Sequence, residues 1–415
     1  MATRREFIEM AGAVAGGMVL NACREAGVNV PETYEPMTPG LGTDVPGVTG
    51  TAVPVVPTVL ATDTQVVATA VATEQRTNHE VVIGQPTEYG FTTHMRLGGS
   101  AEDNLTWEQF QNDVEWMALQ QCTQLRFDVQ SEQVASWGNA EGIGWHEGNL
   151  DVYTQAIDYA LARGIEVHLV LGGPTFGTTM SMDEYERAFS LYCGGLAERW
   201  QGKVTTWQIF NEPTMHHFQN YAYQGFVGGE YLEQVARMVG AASRAIKMVD
   251  ATSQITATVS RWWGGEPVDV FIAQTEQFYD AMAQAIDLIG LDLYPDDNEA
   301  EIQRLPEFVR HFTWRYGKSV VVAEIGIGTK IFSEQRQGEL LARYMATLEA
   351  GEVKPGAVFI YELNDDVTDP EGGGSMGIFR ADGTPKVGAG MAVQSLGLVP
   401  EADFVLHSKA SDSTN

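Results

Sequence analysis

Residues 204–213 read VTTWQIFNEP. The first seven residues form a strand-length run rich in β-branched and aromatic side chains, and the run ends on Asn211-Glu212-Pro213. Residues 320–326 repeat the pattern as VVVAEIG, which puts Glu324 at the end of a second apolar run. Three further runs end on polar groups: LRFDV (125–129) carries Arg126 and Asp128, IGLDLYP (289–295) carries Asp292 and Tyr294, and FIYELND (359–365) carries Tyr361 and Glu362.

Working outward, eight strand-like runs are read at Tyr89–Met95, Thr123–Val129, Glu166–Gly172, Val204–Phe210, Gln254–Ser260, Leu288–Tyr294, Ser319–Ile325 and Gly356–Leu363. Amphipathic helical patterns follow them or stand between them: Trp107–Gln120, Leu150–Arg163, Met182–Trp200, Glu230–Met248, Phe271–Ala285, Ala300–Tyr316, Glu334–Glu349 and Val387–Leu396. Ser181 and Glu184 form a capping box at one helix start, and Arg163-Gly164 is a helix stop before the third strand. Strand–helix alternation predicts a parallel sheet, and eight such units close into a (β/α)8 TIM barrel over residues 81–399. The competing architecture is an open doubly wound sheet. It lacks the Gly-rich phosphate loop expected after an early strand.

The barrel is preceded by two segments of different character. Residues 1–23 hold Arg4 and Arg5, then an apolar stretch from Met10 to Leu20 that is too short to span a bilayer. The order resembles a twin-arginine export signal. Leu20-Asn21-Ala22-Cys23 resembles a lipobox with Cys23 as the lipidated residue, although Asn21 departs from the usual small residue. Residues 24–80 are a Pro/Thr/Val-rich stretch without period, read as a disordered tether, and residues 400–415 as a loose polar tail. The expected location is the cell envelope or extracellular face, with contact to the membrane through the lipid anchor alone.

The 25 Lys and Arg against 55 Asp and Glu give a net charge of -30. Such a field repels phosphate backbones and anionic lipid, so nucleic acid is not an expected partner. The three cysteines, Cys23, Cys122 and Cys193, contain no C-x-x-C pair, so no thiolate zinc site is indicated. Cys122 and Cys193 fall on barrel helices that are not neighbours and are read as free buried thiols.

In a (β/α)8 barrel the active site lies at the C-terminal ends of the strands. An Asn-Glu pair ending the fourth strand and a Glu ending the seventh resemble glycoside hydrolase clan A, over roughly Tyr89 to Gly397. The details are most similar to the family 39 β-xylosidase-type and family 5 cellulase-type enzymes. YELND followed by GGGSMGIFRADGTPK (372–386) resembles the last strand and final loop of many of them. Glycosidic cleavage with retention needs one carboxyl to protonate the departing oxygen and another to attack the anomeric carbon, about 5 Å apart.

The resemblance implies that Glu212 is the acid/base and Glu324 the nucleophile. It implies that Asn211 binds the sugar 2-hydroxyl, that Arg126 keeps the nucleophile ionised, and that Tyr294 holds its rotamer. Asp292 stands where many family 5 members carry a His, which leaves it either a sugar-hydroxyl ligand or a loop cap. Tyr361 stands where many clan members put a Trp under the sugar, so the sequence departs from the family at the central subsite. Asp128 and Glu362 are read as structural. The competing reading of Glu212, Glu324 and Arg126 is a salt bridge at the barrel mouth.

Loop aromatics at the same face are Trp137, Trp145, Phe176, Tyr221, Trp262 and Trp263, with His216 and His217 beside the catalytic strand end. They suit either sugar platforms or loop packing, and Trp262 and Trp263 are the expected substrate contacts. The reading calls for an oligo- or polysaccharide substrate, no cofactor and no metal. The competing function classes are a non-catalytic carbohydrate-binding lipoprotein and a metal-dependent hydrolase. The second lacks the clustered His and Asp it would need.

Overall fold

A computed structural model of the protein describes residues 87–94, 107–129, 131–139, 142–172, 181–213, 231–261, 267–366 and 375–397. The segments read as an export signal with Cys23, as a tether and as a tail lie outside the described residues. So do Phe176, His216, His217, Tyr221, Trp262, Trp263 and the Trp137 side chain.

Eleven strands are described: β1 (Glu88–Thr92), β2 (Gln124–Val129), β3 (Ala135–Asn139), β4 (Gly142–Trp145), β5 (Glu166–Leu171), β6 (Val204–Ile209), β7 (Gln254–Thr256), β8 (Thr258–Arg261), β9 (Ile289–Leu293), β10 (Val320–Ile325) and β11 (Ala357–Ile360). Nine of them form one sheet in the order β7-β6-β5-β2-β1-β11-β10-β9-β8. Its pairings are parallel. Only Ala257 separates β7 from β8, so the two ends of the sheet are consecutive parts of one run. The sheet therefore closes at that point, and the nine strands occupy eight barrel positions, as the alternation of apolar runs implies.

Helices stand between the barrel strands: α1 (Trp107–Leu119), α2 (Ser131–Val134), α3 (Glu147–Leu161), α4 (Met182–Arg199), α5 (Tyr231–Val249), α6 (Val268–Met282), α7 (Glu299–Ile302), α8 (Leu305–Tyr316), α9 (Glu334–Glu349) and α10 (Ala389–Ser395). The capping box forms as read: Ser181 accepts from the Glu184 amide and Glu184 accepts from the Ser181 amide. Gly164 supplies the left-handed backbone, at φ 76°, that turns the chain into β5.

Three local features depart from the sequence reading. A short antiparallel hairpin, β3 with β4, is inserted after the second barrel strand. Its Gly- and Ser-containing segments carry little alternation to announce it. The single helix expected at Ala300–Tyr316 is two, α7 and α8, because Pro306 sits in the first turn of α8 and cannot continue the preceding ladder. The fifth barrel strand is interrupted at Ala257.

Side chains alternate across the barrel wall. Val320 and Val322 of β10 and Val358 and Ile360 of β11 belong to the large core between sheet and helices. Val321, Ala323, Ala357 and Phe359 form a separate small cluster on the other face, inside the barrel. Cys122, just after α1, and Cys193, in α4, are both buried and free.

Gly290 of β9 lies against the interruption in the fifth strand. A Cβ there would stand 2.6 Å from the Ala257 carbonyl oxygen and 2.8 Å from Thr258 Cγ2. This close approach brings Asp292, two residues on, beside β8. Gly290→Ala is expected to lower stability by about 1–3 kcal/mol through forced overpacking, measured by urea unfolding. An unchanged midpoint would contradict the close seating of β9 on the fifth strand.

Candidate active site

The strand ends converge on a buried polar cluster built around Arg126, itself 3% exposed. Arg126 leaves β2 pointing into the barrel and meets four neighbours. Nε donates to Gln208 Oε1 at 3.0 Å, Nη1 to Thr92 Oγ1 at 3.2 Å, and Nη2 to Asn211 Oδ1 at 2.8 Å. Nη1 also pairs with Glu324 Oε1 at 2.8 Å. The second Glu324 oxygen accepts a short hydrogen bond from the Tyr294 hydroxyl. Both oxygens of this carboxylate are thus held, one by a cation and one by a phenol, which fixes its rotamer.

Glu212 is presented by a strained turn. Phe210 and Glu212 both adopt left-handed backbone, at φ 65° and 46°, where non-glycine residues are uncommon and cluster at functional sites. The Glu212 amide donates to Thr258 Oγ1 at 3.1 Å, which ties the turn to β8. The Asn211 amide is oriented by its partners. Its Oδ1 accepts from Arg126 and from Gln208 Nε2, the latter at 2.9 Å. Its Nδ2 is therefore the end left to donate to a ligand.

Asp292 is fully buried at the end of β9, in register with Glu324 on β10 and Ser260 on β8. Neither of its carboxyl oxygens has a hydrogen-bond partner in good geometry. Burial, then the charges of Glu324 and Glu212, push its pKa well above the carboxylate range. Arg126 and the nearby Thr258 hydroxyl offset this only in part. One oxygen each from Glu212, Asp292 and Glu324 lie within 4.8 Å of one another. These three carboxyls are also the group, among the described residues, whose spacing would suit a cation.

Tyr361 stands at the rim, its ring edge-on to Tyr294 at 6.4 Å and to His94 at 5.6 Å. Its hydroxyl lies 3.2 Å from His94 Nε2. His94 also contacts Asp128 and Glu362, each at 3.2 Å. Burial opposes the His94 charge, but hydrogen bonds and attraction from Asp128 and Glu362 overcome it and push the pKa up to about 10. Under Arg126, His168 is the opposite case. Burial and the neighbouring guanidinium push it down to about 3, so it is neutral.

The geometry thus brings Glu212, Glu324, Asn211, Arg126, Tyr294, Asp292 and Tyr361 to one mouth. Trp145 is elsewhere: it stacks on Tyr192 at 6.1 Å and covers Gly195 of α4, so it packs a helix. Gln208, Thr258, Thr92 and His94 also belong to the site, without a motif to mark them. Thr206 and Gln208 interrupt an apolar run at alternate positions, as do Thr256 and Thr258, and that period-two signal marks an inward polar face. His94 follows the first strand as other site residues follow theirs. Asp128 and Glu362, read as structural, are the partners of His94.

No protein-family model matches the chain, and no curated protein matches its sequence. Solved structures do resemble it. A family 1 β-glucosidase from Thermotoga maritima superimposes with a TM-score of 0.59 at 14% identity, covering 77% of this chain and 99% of that one. The same enzyme in complex with deoxynojirimycin gives a TM-score of 0.59 at 14% identity, over 76% of this chain and 98% of that one. Fpglu1 from Fervidobacterium pennivoraus gives 0.59 at 14%, over 76% and 96%. At this identity the likeness is one of fold, the (β/α)8 barrel, and the chemistry rests on the residues at its mouth.

Proposed function

We propose that this chain is a retaining O-glycoside hydrolase acting on β-linked glycans, with Glu324 as nucleophile and Glu212 as acid/base. The observation that carries the reading is the spacing of the two carboxyls. Oxygens within 4.8 Å suit direct attack by one carboxylate, where retaining enzymes hold their pair roughly 5–5.5 Å apart. Inverting enzymes need about 6.5–9.5 Å to seat a water.

In the first step the Glu324 carboxylate attacks the anomeric carbon, and Glu212 gives its proton to the departing oxygen. In the second, Glu212 takes a proton from water as the water's oxygen displaces Glu324. Arg126 and Tyr294 hold the attacking carboxylate. Asn211 Nδ2 is placed to bind the sugar 2-hydroxyl, a contact that strengthens as the transition state forms. Tyr361 offers an apolar ring at the rim, with Trp262 and Trp263 proposed as further platforms. The family 1 β-glucosidases that share the fold support the clan A reading without favouring family 39 or family 5. They make β-glucosides the first substrates to test, ahead of β-xylosides and β-mannosides. The substrate partner is an oligo- or polysaccharide. We further propose that the twin arginines direct export and that Cys23 carries lipid at the envelope surface.

The two glutamates are expected to fail differently. Glu324→Ala loses turnover of an aryl β-glycoside by roughly a thousandfold or more, and azide restores cleavage with a glycosyl azide of inverted configuration. Glu212→Ala still accepts substrates with good leaving groups, shows a burst, and with azide gives a product of retained configuration. Equal residual activity, normal melting and no azide response in both variants would remove the assignment.

Export is tested separately. Replacing Arg4 and Arg5 by Lys is expected to leave precursor inside the cell, and mass analysis of the mature wild-type protein is expected to find lipid on Cys23. Normal export of the double variant, or an unmodified Cys23, would overturn the corresponding half of the proposal.

A further inference from the structure

Double displacement at a sugar needs two carboxyls, and the strand ends supply a third. One oxygen each from Glu212, Asp292 and Glu324 lie within 4.8 Å of one another. Asp292 is 0% exposed, and neither of its oxygens has a hydrogen-bond partner. A buried carboxylate without a partner is strongly disfavoured, and an ion beside it relieves it. The Arg126 guanidinium does not serve: its hydrogen bonds go to Thr92, Gln208, Asn211 and Glu324. An unpartnered oxygen of Asp292 thus faces the same point as one oxygen of each glutamate.

The three groups are held in place by the fold. Asp292 and Glu324 are register partners on β9 and β10. Glu324 is fixed by Arg126 and Tyr294. Glu212 sits on the left-handed turn whose amide donates to Thr258. Ligands held in advance lose little freedom on binding. The donor set is three carboxyls without His or Cys, which suits a hard cation. A point equidistant from three atoms no more than 4.8 Å apart lies at most about 2.8 Å from each, so shifts of a few tenths of an ångström reach the roughly 2.3–2.6 Å contacts of calcium. Calcium tolerates irregular geometry, and magnesium gives up its water reluctantly.

We propose that Glu212, Asp292 and Glu324 form a divalent-cation site of calcium type in the sugar-free protein, and that ion and sugar exclude each other there. The sequence reading calls for no metal because it looks for clustered His and Asp; three carboxyls from separate strand ends have no such signature. The exclusion rests on the glycosidase reading above, and the ion site does not. An ion between the two glutamates fills the space where the anomeric carbon must lie between nucleophile and acid/base. It also engages the Glu324 carboxylate that has to attack. Calcium then acts as a competitive inhibitor, and entry of the sugar releases it.

The test uses the whole protein, freed of metal with a chelator, at neutral pH. Calcium chloride is titrated in and the heat of binding recorded. Salt at about 0.15 M screens diffuse attraction to the net charge of -30. One ion per chain is expected, with a Kd on the order of 0.1–1 mM. Asp292→Asn and Glu324→Gln, each checked by its melting curve, are expected to weaken binding by roughly tenfold or more, the loss that follows removal of even a supporting group at a metal site. Asp183→Asn, which alters an exposed carboxyl in the first turn of α4, is expected to leave it unchanged. No saturable binding, or equal affinity in wild type and a folded pocket variant, overturns the proposal. The second readout is kinetic. Calcium is expected to raise the KM of an aryl β-glycoside and leave kcat unchanged, with an inhibition constant that matches the calorimetric Kd. A fall in kcat at constant KM, or no effect at saturating calcium, puts the ion elsewhere and also overturns the shared site. If calcium binds as expected while Glu324→Ala and Glu212→Ala show no azide response, the glycosidase reading fails and the ion site stands.

Discussion

The Arg126 guanidinium is buried among four groups from three strand ends, and the arrangement of the site follows from it. Its contacts reach Thr92 at the end of β1, Gln208 on β6, Asn211 just beyond β6, and Glu324 on β10. A planar donor fork of this kind fixes several acceptors at once, and a lysine could not do so. Gln208 extends the network: it accepts from Arg126, then donates to Asn211 at 2.9 Å and to Thr258 at 3.2 Å. Thr258 in turn accepts from the Glu212 amide. Glu212 and Glu324 are thereby linked through one chain of hydrogen bonds that crosses the barrel.

That network needs the barrel to close where it does. The fifth strand is broken at Ala257, so β7 pairs with β6 while β8 pairs with β9. Thr258 starts the second half and stands between the Glu212 turn and Asp292. Gly290 permits the close approach on the other side. The left-handed backbone at Phe210 and Glu212 is local strain held by the surrounding packing and by the Glu212–Thr258 bond. Fold and site are therefore one construction: parallel strands carry inward polar residues at alternate positions, and their C-terminal ends carry the carboxyls.

Much of this is legible in the sequence because the signals are periodic. The barrel strands are short apolar runs and the helices amphipathic, so each barrel strand was found near its observed bounds. The residues at strand ends, Glu212, Glu324, Arg126, Tyr294 and Asp292, follow from asking what stands where each run stops. The network behind them is less legible. Gln208 and Thr258 are ordinary polar residues inside apolar strands, and their importance lies in three-dimensional neighbours. His94 has no sequence partner to announce it, since Asp128 and Glu362 reach it from two other strands. The β3–β4 hairpin and the break before α8 escaped because a few residues of turn chemistry outweighed a longer periodic pattern. Trp145 shows the converse limit: composition marks an aromatic near the mouth, but only packing tells a platform from a helix filler.

The central claim is that Glu324 forms a bond to the sugar. A glycoside with fluorine at the 2-position and a good leaving group should react and then persist, because the electron-poor sugar hydrolyses slowly. Digestion and mass analysis of the inactivated protein are expected to find the 2-deoxy-2-fluoro sugar on the peptide containing Glu324, with one sugar per chain. A label on Glu212, on Asp292 or on no residue, in protein that turns over the parent glycoside, would contradict the account.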